Sequence, residues 1–261
     1  MHDLLNALIL GIIEGITEFL PISSTGHLLI AQHWLGPQSE LFNVGIQAGA
    51  ILAVTLIYRR RLWQLLTGLG QDANRDYALK LGTAFAITAV LGFAASKMGL
   101  TLPDRVQPVA WALLLGALVM FWAERNTALD APETAITWKV AVAVGLAQVL
   151  AAVFPGTSRS AATIFAAMLL GTRNRGAATE FAFLVGIPTM YAASGYALLK
   201  ELDAGGGENW SAFTVGFLAS TVTAFIAVKW LLKYIQTHRF TGFAWYRIVL
   251  AAGLLILLPS N

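Results

Sequence analysis

Residues 11–31 read GIIEGITEFLPISSTGHLLIA, an apolar run interrupted by two carboxylates, a proline, a cluster of hydroxyls and a histidine. Glu14 and Glu18 are four residues apart, so on a helix they share one face. Ionisable groups in so apolar a segment are costly and usually face a cavity. Beyond Pro21, the sequence SSTGH places Ser23, Ser24, Thr25 and His27 on the first turn of a new helix. There the free N–H groups and the helix dipole favour anions such as phosphate. A second stretch, PGTSRS at 155–160, repeats the break with Ser158 and Arg159 at its exit. A guanidinium buried there needs an anionic partner, and its planar fork suits a phosphate or a carboxylate. The plainer readings are an interfacial or salt-bridged Glu14–Glu18 pair, a packing or capping His27, and an Arg159 tied to Glu14 or Glu18. Glu180, in TEFAF, reads either as a substrate-side acid or as a charge near a helix start, and His33 as interfacial.

The elements that position these groups follow from composition. The chain is 57% hydrophobic and 12% charged, against about 25% charged in a soluble domain. This is the composition of an integral membrane protein. Its apolar runs are long and continuous, which predicts spanning helices and excludes the alternating strands of a membrane barrel. With 261 residues there is room for one membrane domain and no separate extramembrane domain. The absence of cysteine excludes disulfides, a thiolate nucleophile and Cys-ligated metals. A net charge of +3, confined to loops, makes nucleic acid an unsuitable partner. The start, MHDLLNALILG, lacks the features of a cleaved signal peptide and is expected to remain in the mature protein.

Two halves repeat weakly, about 1–125 and 135–261. At an offset of 134, Gly11 falls on Gly145, Glu14 on Gln148, Pro21 on Pro155 and Ser24 on Ser158, and Ala110-Trp111 on Ala244-Trp245. Residues 44–60 resemble 185–201 at an offset of 141. Each half reads as a broken hairpin (about 3–35 and 138–170) followed by three spans. These are about 41–58, 78–97 and 108–124, then 178–199, 213–234 and 243–259. Non-helical backbone at membrane depth survives only inside protein or beside a wet cavity, so the hairpins are expected to be re-entrant. Three spans per half turn the second half upside down, as in inverted-repeat transporters. The expectation is an all-α fold with six transmembrane helices and two re-entrant hairpins. The basic 59–80 and 229–239 regions belong in the cytoplasm, as do the 124–139 and 171–177 connections. That puts the termini, loops 98–107 and 200–212 and the first hairpin's mouth outside. The breaks can then meet near the middle.

No phosphate-binding loop of the nucleotide enzymes is present, and four histidines make a His-rich zinc site improbable. Over essentially its whole length the chain resembles the undecaprenyl-diphosphate phosphatases of the BacA type. The resemblance rests on EGxTEFLPxSSTGH at Glu14–His27 and PGxSRS at Pro155–Ser160. One departure is Ala161, where a glycine is expected; its methyl tightens packing near Arg159 and removes no chemical group.

The resemblance implies hydrolysis of a C55 isoprenyl diphosphate to the monophosphate carrier lipid. The reaction would take place on the outer face of a bacterial cytoplasmic membrane, recycling the carrier for peptidoglycan synthesis and conferring bacitracin resistance. It implies dependence on a divalent cation and a site of Glu14, Glu18, Ser23, Ser24, Thr25, His27, Ser158 and Arg159. The chemistry fits. Glu14 and Glu18 suit Mg²⁺ or Ca²⁺, which prefer carboxylate oxygen. Ser23, Thr25, Ser158, Arg159 and the helix starts suit the phosphates, with Glu18, Ser24, His27 and Arg159 in catalytic roles. Ser24, His27 and water all remain open as the nucleophile, as do chain-length preference and oligomeric state. The alternative class is a secondary transporter or lipid flippase. A phosphatidic-acid-phosphatase mechanism is excluded because no second histidine follows Ser160 until His238.

Overall fold

The computed structural model describes residues 2–100, 105–125, 127, 135–203 and 207–258. The 98–107, 124–139 and 200–212 connections and the end of the last expected span therefore lie partly outside the described residues. The described residues form eleven helices and no strand. In chain order they are α1 (His2–Thr17), α2 (Ser24–Leu35), α3 (Glu40–Ile57), α4 (Arg59–Thr67), α5 (Asp72–Lys97) and α6 (Val106–Arg125). The second half supplies α7 (Trp138–Val153), α8 (Arg159–Leu170), α9 (Arg175–Asp203), α10 (Trp210–Thr237) and α11 (Thr241–Leu257). Five of them, α3, α5, α6, α9 and α10, are long and apolar enough to cross a bilayer. The sixth expected span, α11, is a shorter apolar helix of 17 residues.

The two broken hairpins have matching arms. α1 and α7 each run for 16 residues, and α2 and α8 for 12. Each first arm lies along a helix of the other half, α1 on α10 and α7 on α5. Glycines permit the approach. A Cβ on Gly11 would sit 2.3 Å from the Gly216 carbonyl oxygen, and one on Gly145 would sit 2.8 Å from that of Ala84. The helices α6 and α11 pair with each other, as do α3 and α9.

Two details depart from the sequence reading. The stretch after α3, expected as a basic loop, begins with α4. There Leu65 is buried while Arg59 and Arg60 stay exposed, so one apolar stripe suffices to wind the segment. The repeat register at the breaks is also shifted by one. The residue matching Ser158 is Ser23, not Ser24: both carry positive φ directly before their helix, and Ser23 lies 12 residues after Gly11 whereas Ser158 lies 13 after Gly145.

Candidate active site

Both breaks end in the same unusual way. Ser23 and Ser158 hold positive φ, 72° and 68°, and are the only described residues other than glycine that do so. Such backbone is strained for a side chain bearing a Cβ and persists only where its surroundings enforce it. Each serine caps the helix that follows. Ser23 Oγ accepts from the Gly26 amide at 3.4 Å, and Ser158 Oγ accepts from Ala161 at 3.3 Å. The first turns of α2 and α8 thus keep further free N–H groups, the feature that suits an anion.

The breaks meet. Ser160 Oγ donates to the Leu20 carbonyl at 3.1 Å, joining the second break to the first, and lies 3.0 Å from Ser158 Oγ. Between the breaks stands Arg247 of α11, fully buried, which the sequence reading passed over. Its Nη1 donates to the carbonyls of Thr157 (3.1 Å) and Pro21 (3.5 Å), and its Nη2 to those of Gly156 (3.3 Å) and Ala112 (2.9 Å). Its Nε completes the set on Leu113 at 3.1 Å. Gly116 makes room, since a Cβ there would lie 2.2 Å from Nη2. The guanidinium thus satisfies break carbonyls that have no helical partner.

Around this tie the expected groups assemble unevenly. Ser24 donates to Glu18 Oε2 at 2.6 Å, a short, charge-assisted bond. Glu18 and Arg159 line one small cavity with Ser160 and Thr163 of α8 and Phe183 and Met190 of α9. Arg159 is half-buried and its side chain makes no ion pair or hydrogen bond among the described residues, so its fork is available to a ligand. Among the described residues no ion pair joins Arg159 to Glu14 or Glu18. Glu14, one turn before Glu18, is completely buried, and neither of its carboxylate oxygens has a hydrogen-bond partner. It lies within electrostatic reach of both Glu18 and Arg159. Thr25 is half-buried at the start of α2. Ala161, only 3% exposed, packs into the core as a tightening methyl.

His27 is held at both ends. Its Nδ1 meets the Ser23 carbonyl at 2.8 Å and its Nε2 the Tyr246 hydroxyl at 2.7 Å. Tyr246, beside Arg247 on α11, is the second residue missed from sequence. Glu180 lies elsewhere, pairing with Arg61 of α4 at 3.2 Å and accepting from Tyr77, so it is a structural ion pair. His33 is exposed, edge-on to Trp34.

An orphaned buried carboxylate beside a second one fits the oxygen preference of a hard cation. Among the described residues no group of three or more His, Asp or Glu side chains forms a denser metal site. Two apolar grooves flank the breaks. One, about 600 Å³, runs between α6 and α7–α8 past Trp111, Leu115, Phe154, Thr157 and Ala166. The other, about 530 Å³, lies between α1, α10 and α11 and is capped by His27 and Tyr246.

With this geometry in view, the chain's relatives are informative. The profile of the family described as bacitracin resistance protein BacA matches residues 7–253. A protein named undecaprenyl-diphosphatase from Xanthomonas euvesicatoria pv. vesicatoria is 61% identical over all of this chain and 99% of its own length. Proteins of the same name from Xanthomonas campestris pv. campestris and Stenotrophomonas maltophilia are also 61% identical, over the full length of both chains.

Proposed function

The chain belongs to the BacA family of bacitracin resistance proteins, and from that premise we propose that it is an undecaprenyl-diphosphatase. It would remove the terminal phosphate of a prenyl diphosphate, returning the monophosphate carrier lipid to peptidoglycan synthesis and supporting resistance to bacitracin. The observation that carries the mechanism is the 2.6 Å bond from Ser24 to Glu18, a nucleophile within reach of its base, with Glu18 also lining a small cavity beside Arg159.

The residues act as follows. Arg159 and the first-turn N–H groups of α2 and α8, behind Ser23 and Ser158, bind and orient the diphosphate. Thr25 adds a hydroxyl at the same helix start. Ser24 Oγ bonds to the terminal phosphorus as its proton passes to Glu18 and the bond from that phosphorus to the bridging oxygen breaks. Glu18 delivers the proton to the departing monophosphate. It then takes a proton from the water that attacks the phosphoserine and returns it to Ser24, releasing inorganic phosphate. Glu14 and Glu18 would hold a divalent cation, which when bound neutralises phosphate charge. The apolar groove beside Thr157 would take the first units of the prenyl tail.

We read the chain as one membrane domain with inverted repeats, supported by matched hairpin arms and by the packing of each first arm on the opposite half. The exposed arginines of α4 favour the cytoplasmic side for that end, which opens the site to the periplasmic side of the bacterial inner membrane. The transporter alternative draws no support from the relatives' names. The deciding experiment is phosphate release from a prenyl diphosphate by purified protein, with and without chelator. Wild-type release with none from Ser24→Ala supports the reading, and full release from Ser24→Ala refutes the serine mechanism.

A further inference from the structure

We infer that Tyr246 is a positioning residue for the reaction, acting through His27 to set the backbone that presents Ser24. The inference rests on the assignment of Ser24 as nucleophile. Ser23, directly before it, carries a strained φ of 72° that something must enforce. Its own hydroxyl does little of this, since the bond it accepts from Gly26 is long, at 3.4 Å. The stronger restraint is on its carbonyl, which His27 Nδ1 meets at 2.8 Å. A carbonyl only accepts, so Nδ1 must carry the proton. A neutral ring then has a bare Nε2, and that nitrogen accepts the Tyr246 O–H at 2.7 Å. The two rings lie parallel within 6°, with centroids 5.6 Å apart.

The partner comes from 219 positions away in the chain, on a helix with its own anchor. Arg247, the next residue, is bonded to carbonyls of both breaks, so α11 is fixed against the frame that Tyr246 must measure. The chain of contacts is continuous: α11, Tyr246, His27, the Ser23 carbonyl, Ser24, Glu18. In this arrangement both ring nitrogens of His27 are engaged by protein, and the ring acts as a strut between α11 and the first break. Neither Tyr246 nor His27 then needs to exchange a proton with substrate.

The test is a set of variants assayed for kcat and KM on a prenyl diphosphate: Tyr246→Phe, His27→Asn, His27→Ala and Tyr246→Phe with His27→Asn. Asparagine keeps an N–H near the place of Nδ1 but has nothing at Nε2. Tyr246→Phe should lower kcat about tenfold, the rate equivalent of one neutral hydrogen bond, with KM within about twofold of wild type. His27→Asn should fall by a similar factor and His27→Ala by clearly more. The double variant should be no slower than the slower single, as expected for residues acting as one unit. Wild-type kcat in Tyr246→Phe, multiplicative losses in the double variant, or a His27→Asn as slow as His27→Ala would each overturn the inference. Ser24→Ala in parallel separates the two levels. If it retains turnover, the serine assignment falls and the strut with it; if it is inactive while Tyr246→Phe is normal, only the strut falls.

Discussion

Arg247→Lys offers a sharp test of how the two breaks are held. The guanidinium spans five carbonyls, but they are not equivalent. Ala112 and Leu113 lie inside α6, where their carbonyls also serve the helical ladder, whereas Pro21, Gly156 and Thr157 lie in the breaks. A lysine has three donors on a single nitrogen, without the spread of the fork, and cannot reach both breaks and α6 together. About two break carbonyls should be stranded in a fully buried site. A buried polar group left unpaired costs about 1–3 kcal/mol, so the variant should lose about 3 kcal/mol. That is a large part of a typical stability of about 5–15 kcal/mol, yet the chain should still fold. At about 2–4 °C per kcal/mol for a chain of this size, the melting midpoint should fall by about 10 °C. Tryptophan fluorescence of the protein in detergent reads the midpoint, and turnover in the same micelles well below it reads the site. A midpoint within about 2 °C of wild type with unchanged turnover would refute the reasoning. The breaks would then be held by other contacts, such as the Ser160–Leu20 bond.

Four further outcomes are expected. Arg159→Lys should lose most activity with little change in melting, because that fork has no protein partner to lose; near wild-type turnover would remove Arg159 from phosphate binding. Glu14→Gln should raise the Mg²⁺ or Ca²⁺ concentration needed for half-maximal rate, measured by titrating chelated enzyme, and Glu18→Gln should do so while also losing most of kcat as the base; an unchanged cation requirement in both would remove the pair from metal binding. Ala166→Trp should fill the groove between α6 and α8, raising KM for a C55 diphosphate far more than for a C15 one; equal effects would place the tail elsewhere. Single cysteines at Gln71 and Gly207, in a chain that has none, should react oppositely with an impermeant thiol reagent on intact spheroplasts. Labelling at 207 alone supports a periplasmic site, and labelling at 71 alone inverts the orientation.

The sequence made the helices legible because an apolar run of spanning length leaves few alternatives, and every expected hairpin and span has its helix in the structure. The breaks were legible for a similar reason, since proline followed by hydroxyls both ends a helix and caps the next. The failures have a common origin. The match at a fixed offset paired Ser24 with Ser158 because a gapless comparison follows residue identity. The fold instead matches backbone conformation, and the path from Gly11 to its strained cap is one residue shorter than that from Gly145, which puts the first cap at Ser23. Loop charge reports only on basic residues near helix ends, whereas Arg247 sits mid-helix in FAWYRIVLAAG. Yet a lone arginine in an apolar span, with no acid on its own helix, was itself a signal: it must find polar partners inside the protein. Here those partners are carbonyls released by the breaks in two other parts of the chain, which no local pattern contains.

That pairing bears on how the site is built. The two breaks leave helix starts with free N–H groups, but they also strand carbonyls inside the protein. One guanidinium answers both breaks at once, so docking of α11 satisfies carbonyls in both hairpins. The same helix carries Tyr246 to His27. Assembly of the surroundings of Ser24 is thus coupled to docking of the last helix, which makes the site a property of the whole fold. A chain truncated before α11 should retain Glu14, Glu18, Ser24 and Arg159 and still lack the means to hold them together.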